Sequence, residues 1–155
     1  MNFKKISDWK IVRMILDLLK QGMTPEKIAL CAALGISLGI FPVLGTTTAL
    51  CTAAAFIFKV NLPLIQLVNY LVYPLQLILF LPFIRCGEIL FRTAHQALSI
   101  PQILSMIKED TWGAVQSLWV VTLHAIAVWL LVGPVLAFGL YLILTPAIRK
   151  LSPGK

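Results

Sequence analysis

Four consecutive residues, Gly45-Thr46-Thr47-Thr48, concentrate polar chemistry inside an otherwise apolar stretch. A helix starting there leaves its first-turn N–H groups without intrahelical acceptors. Together with three hydroxyls at the positive end of the helix dipole, these groups can receive an anion. The plainer reading has Thr46 capping the helix while the other hydroxyls bond to preceding carbonyls. Asn61 and Asn69 offer hydrogen bonds to the same guest, although Asn61 before Leu62-Pro63 also reads as turn chemistry. Arg85 and Arg92 can clamp a phosphate, and with Glu88 between them they read equally as a solvated ion-pair ladder. Gln76 and His124 lie within apolar runs, where one interhelical hydrogen bond explains each.

Other chemistries lack their residues. No Ser-His-Asp order, metal-ligand cluster or phosphate-cradling motif is present, so the reading is of a non-enzyme without metal or cofactor. Cys31, Cys51 and Cys86 have apolar neighbours and no paired spacing, and they read as small hydrophobes.

What must position these groups follows from composition. Of 155 residues, 59% are hydrophobic and 12% charged, too apolar for a small soluble domain with its high ratio of surface to volume. The implied solvent is lipid. Apart from the lone Lys59, the charged residues behind the net charge of +7 sit in clusters beside apolar runs, at residues 1–27, 85–110 and 149–155, without the interleaved aromatics of a nucleic-acid face. That placement fits the positive-inside rule and attraction to anionic headgroups, with both termini cytoplasmic.

Charged positions 10, 13, 17 and 20 share one face, so residues 1–23 read as an amphipathic interfacial helix. Thr24-Pro25-Glu26 then opens a helix with a cap, a first-turn proline and an early acid. The charge-free run from Ile28 to Phe58 would make roughly 46 Å of helix, longer than the ~30 Å hydrocarbon core. It must break, and Pro42 and Gly45 supply the turn. Residues 24–92 therefore read as a glycine- and proline-broken hairpin domain, with Gly35 and Gly39 as helix-packing positions. Pro74 marks a second interruption, leaving either one kinked span or two half-helices, residues 93–110 an interfacial elbow, and Gly133-Pro134 a turn splitting residues 111–155 into a C-terminal hairpin with a basic tail. Trp112 and Trp129 read as two aromatic belts. One count of crossings puts the basic C-terminus outside, against the charge rule. The expected fold class is an all-α integral membrane protein of broken or re-entrant hairpins with amphipathic interfacial helices.

Gly35-Ile36-Ser37-Leu38-Gly39-Ile40-Phe41-Pro42-Val43-Leu44-Gly45-Thr46-Thr47-Thr48, followed by Lys59-Val60-Asn61-Leu62-Pro63, Tyr73-Pro74 and Gly87, resembles the bacterial membrane family called domain of unknown function 2062. The likeness covers about residues 22–92. Tyr73 stands where that family typically has asparagine, which argues against a ligand role there. Relatives joined to glycosyltransferase-like domains imply a link to lipid-carried sugars.

The resulting expectation is a small transporter or flippase-like protein handling an anionic lipid-linked or amphiphilic molecule. Its guest would sit at Gly45–Thr48, with Asn61 and Asn69 as hydrogen-bond partners and Arg85 or Arg92 at the entrance. The alternative is a non-transporting accessory or scaffold for a glycosyltransferase-like partner, with Gly35 and Gly39 as the contact. Membrane lipids and a second copy of the chain are the other expected partners, and nucleic acid is not.

Overall fold

The computed structural model describes Arg13, Asp17, Leu18 and residues 21–92 and 111–151, with side chains undescribed at 111 and 113–118. The N-terminal interfacial helix and the elbow at 93–110 lie essentially outside the described residues. Those that are described form helices and no strands: α1 (Pro25–Gly39), α2 (Thr47–Ile57), α3 (Leu62–Leu90) and α4 (Thr111–Leu151).

Local chemistry sets the starts. Thr24 is the N-cap of α1, its hydroxyl accepting from the Lys27 N–H, and Pro25 needs no acceptor in the first turn. Asn61 does the same for α3, its Oδ1 accepting from the Leu64 N–H at 2.9 Å. The expected break after α1 is present. Gly45 there adopts φ +84°, a left-handed conformation that Cβ-bearing residues resist.

The chain then retraces its path. Cys51, Ala54 and Ala55 of α2 pack against Leu34 and Leu38 of α1, and the Asn61 carbonyl lies 3.8 Å from the Cys31 sulfur. From there α3 runs parallel to α1. Leu64 joins Ile28 and Cys31, Gly35 meets Val68, and Gly39 meets Asn69 and Val72. A Cβ on Gly35 would lie 2.8 Å from Val68 Cβ, so the helices approach through the missing side chain. The packing role of Gly35 and Gly39 is thus taken by α3 of the same chain, which leaves neither available to a docked partner.

Two interruptions read from the sequence are absent. The chain does not turn at Pro74, which lies inside α3 along with Pro82. Nor does it turn at Gly133-Pro134, because α4 continues from Thr111 to Leu151 with Pro134 and Pro146 inside it. The C-terminal hairpin is therefore one helix. Beside Pro134, α4 is tied to α1: the Ser37 hydroxyl donates to the Gly133 carbonyl at 2.7 Å and the Trp129 indole donates to the Ser37 carbonyl at 3.0 Å. Core packing of Ala125, Val128 and Trp129 before the proline and of Ile148 after it holds the helix on both sides of the one hydrogen bond that proline removes.

Those bonds run α4 antiparallel to α1, and Arg149 closes the pair on Glu26 at 2.8 Å. The start of α1 and the end of α4 thus share one end of the bundle. Trp129 is buried, with its ring edge-on to Phe41 at 4.9 Å, so it is no belt residue; Trp112 is exposed.

The Glu26 carboxyl is held below the ordinary carboxylate range, first by its own backbone N–H at the helix start and then by Arg149. A lowered folded-state value means its contribution is complete above that range and lost as pH falls through the lowered value. Glu26→Gln should therefore melt slightly below wild type at neutral pH and match it in acid. A constant difference across a pH series of melting curves would contradict this.

Candidate functional site

Hairpin geometry defines the site. The tip, residues 40–46, reaches only to the middle of the long helices. Phe41 faces Gln76 at the centre of α3 and Trp129 near the centre of α4. The start of α3 lies roughly 21 Å away along its axis at 1.5 Å per residue.

At the tip, Gly45, Thr46 and Thr48 are exposed and Thr47 is buried. Thr46 occupies the N-cap position in a helical conformation and makes no capping bond; its hydroxyl donates instead to the Val43 carbonyl at 2.9 Å. The first turn of α2 consequently has no side-chain cap for its N–H groups. Capping by Thr46, the plainer expectation, does not occur.

Facing the hairpin, α3 presents Gln66, Asn69 and Gln76 at helical spacing. Gln66 Nε2 donates to the Thr48 carbonyl and to the Thr52 hydroxyl, both at 2.9 Å, while the Thr52 hydroxyl donates to the Thr48 carbonyl. Asn69, buried, donates to Gln66 Oε1 at 3.3 Å. Gln76 is 1% exposed and donates to the Phe41 carbonyl at 2.7 Å, leaving its Oε1 without a partner among the described residues. These neutral amides and hydroxyls tie the hairpin to α3. They can orient a guest without exchanging protons with it.

Only some of the sequence candidates converge. Thr48 and Asn69 meet through Gln66. Asn61 is spent capping α3 at the opposite end of the hairpin from the tip. Arg85 and Arg92 lie roughly 14 and 24 Å beyond Gln76 along α3 and cannot share a ligand headgroup with Gly45–Thr48. Glu88 is buried while Arg85 and Arg92 are exposed. The His124 ring stacks on Phe91 at 4.3 Å, and its buried Nδ1 has no hydrogen-bond partner among the described residues. No group of three His, Cys, Asp or Glu side chains among the described residues is placed to hold a metal.

Sequence reasoning missed Gln66, Ser37 and Trp129. The spacing of Gln66 from Asn69 and Gln76 was a usable signal, since three amides on one helix face inside an apolar run imply a polar neighbour. Nothing local pairs Ser37 with a carbonyl nearly a hundred residues away.

The half-length hairpin therefore comprises the Gly35–Thr48 run and the Asn61-Leu62-Pro63 start of α3, the residues that carried the family resemblance. The family model described as an uncharacterized protein conserved in bacteria (DUF2062) matches residues 10–152. The chain belongs to this family. No curated protein and no solved structure matches it. In this DUF2062 member the matched region takes in all four helices to within their ends, so hairpin and long helices are parts of one family unit.

Proposed function

We propose that the protein is a multi-pass membrane protein that binds, and passes across the bilayer, an anionic amphiphile whose headgroup is received at the tip of a re-entrant hairpin. One observation carries this reading: an exposed polar turn with an uncapped helix start lies between the levels of Gln66 and Gln76 on α3, within the length of the two long apolar helices and not beyond their ends. Leu62–Leu90 and Trp119–Leu151 are long and apolar enough to cross a membrane. Only 17% of each apolar window is buried, and Leu71, Ile78, Leu131, Phe138 and Ile143 point outward. Such a surface suits lipid. With those helices spanning, α1 and α2 at roughly 22 and 16 Å are too short to cross, and the tip comes to rest near the bilayer centre. Irregular backbone at that depth must be covered by protein or line a wet cavity. The Gln66–Asn69–Gln76 rail covers one side of it, and Gly45, Thr46 and Thr48 remain open on the other.

The test is dithionite-resolved movement of fluorescent phosphatidylglycerol in proteoliposomes. Wild type should accelerate exchange over empty vesicles, and Thr46→Val with Thr48→Val should reduce that acceleration about tenfold or more, in line with the loss of oriented donors. Exchange at the empty-vesicle rate with wild type would overturn the transport reading. Co-purification of a stoichiometric protein partner with that result would favour the accessory reading instead.

A further inference from the structure

A second feature lies on the other side of α1. A cavity of about 390 Å³ opens between α1, α4 and the end of α2, with almost wholly apolar walls. Leu30 and Leu34 line one wall, Ala137 and Tyr141 the other, Phe58 the mouth, and Trp129 closes the inner end. From Trp129 to Tyr141 the cleft extends roughly 18 Å along α4, close to half of the ~30 Å hydrocarbon core. It therefore runs from one face of the bundle to mid-depth, the extent of a single leaflet.

Charge marks its outer end. Lys27 precedes Leu30 by three residues and Leu34 by seven, which places it on the cleft-lining stripe of α1. Lys59 follows Phe58 directly and is exposed, as is Lys27. Glu26, the nearest acid in sequence, is already bound by Arg149. An apolar slot one leaflet deep, with two exposed lysines close along the chain to its lining and no acid paired with either side chain among the described residues, matches one kind of occupant.

We propose that this cleft holds one acyl chain of an anionic phospholipid from the leaflet at the basic end, with the lipid phosphate between Lys27 and Lys59. The site rests on the membrane reading above and not on the hairpin-tip site. It seats a resident lipid beside α1, so lipid composition would bear on how firmly the Ser37–Trp129 node is held.

Native mass spectrometry of protein released from vesicles of equal phosphatidylglycerol and phosphatidylcholine tests it. Wild type should retain one phosphatidylglycerol per chain. Ala137→Trp, which fills the slot, should abolish that adduct. Lys27→Gln with Lys59→Gln, both at exposed positions, should reduce the preference for phosphatidylglycerol about tenfold while leaving the chain folded. Equal retention of the two lipids by wild type, an adduct surviving Ala137→Trp, or a dimer filling the cleft would each overturn the assignment. Alkaline carbonate extraction separates the two failures: a chain that stays with the membrane yet keeps no lipid overturns this inference alone, and a chain released into solution overturns the membrane reading as well.

Discussion

Trp129→Ala should unfold at markedly lower temperature than wild type, with a loss of about 3–5 kcal/mol, the range for truncating a buried tryptophan. The site explains the size. Trp129 packs with Ile40, Phe83, Ala125 and Val128, meets Phe41 edge-on, and donates its indole N–H to the Ser37 carbonyl in a buried setting. Truncation opens a cavity and strands that carbonyl. Trp129→Phe retains most of the packing and loses only the donor, for about 1–3 kcal/mol. Melting curves in detergent should place the phenylalanine variant between wild type and alanine. A Trp129→Ala protein that melts with wild type would show that the α1–α4 contact does not hold the hairpin. Since the same ring positions Phe41 at the tip, Trp129→Ala should also diminish lipid exchange without touching Thr46 or Thr48.

Gly87→Ala should be the second most damaging small change. A Cβ there would lie 2.9 Å from both the backbone carbon and the Cβ of His124 and 3.1 Å from its carbonyl oxygen. Backbone cannot rotate away, so α3 and α4 must separate where Phe83 and Val128 share a core cluster. Overpacking of this kind costs about 1–3 kcal/mol. Gly139→Ala in α4 is the matched control: nothing lies within 4 Å of its added methyl, and replacing glycine inside a helix gains up to about 1 kcal/mol. The two substitutions should therefore move the melting temperature in opposite directions. Equal effects would mean that glycine flexibility, not helix contact, decides both.

The opposite expectations for two chemically identical changes mark where sequence reasoning stops. Gly87 has Arg85 and Glu88 beside it and Gly139 only apolar neighbours, yet neither setting announces a close helix contact, and the position of His124 decides the outcome. Gly35 and Gly39 were different, because their four-residue spacing announces a helix contact before any partner is known. Asn61 gave its role through its immediate neighbours, as a cap followed by a first-turn proline. Asn69 did not, since its partner Gln66 matters only because Gln66 in turn holds Thr48 and Thr52 on α2. Pairing Asn61, Asn69, Arg85 and Arg92 with the Gly45–Thr48 turn assumed that polar residues within apolar runs converge. An unbroken α3 brings only Asn69 near the turn, through Gln66, and places Asn61, Arg85 and Arg92 elsewhere along its length.

Residue order by itself determined the helical class, the cap at Thr24, the turn at Asn61, the break at Pro42 to Gly45 and the small-residue contact on α1. Each depends on interactions within a few residues. Whether Pro74 and Gly133-Pro134 would also break the chain depended on the folded bundle. A proline deletes a backbone hydrogen bond locally, but whether the helix continues past it is decided by distant packing, such as that of Trp129 and Ile148 in the core clusters on either side of Pro134. The same holds for Trp129, whose place at the centre of the bundle was settled by an acceptor carbonyl on a helix nearly a hundred residues away.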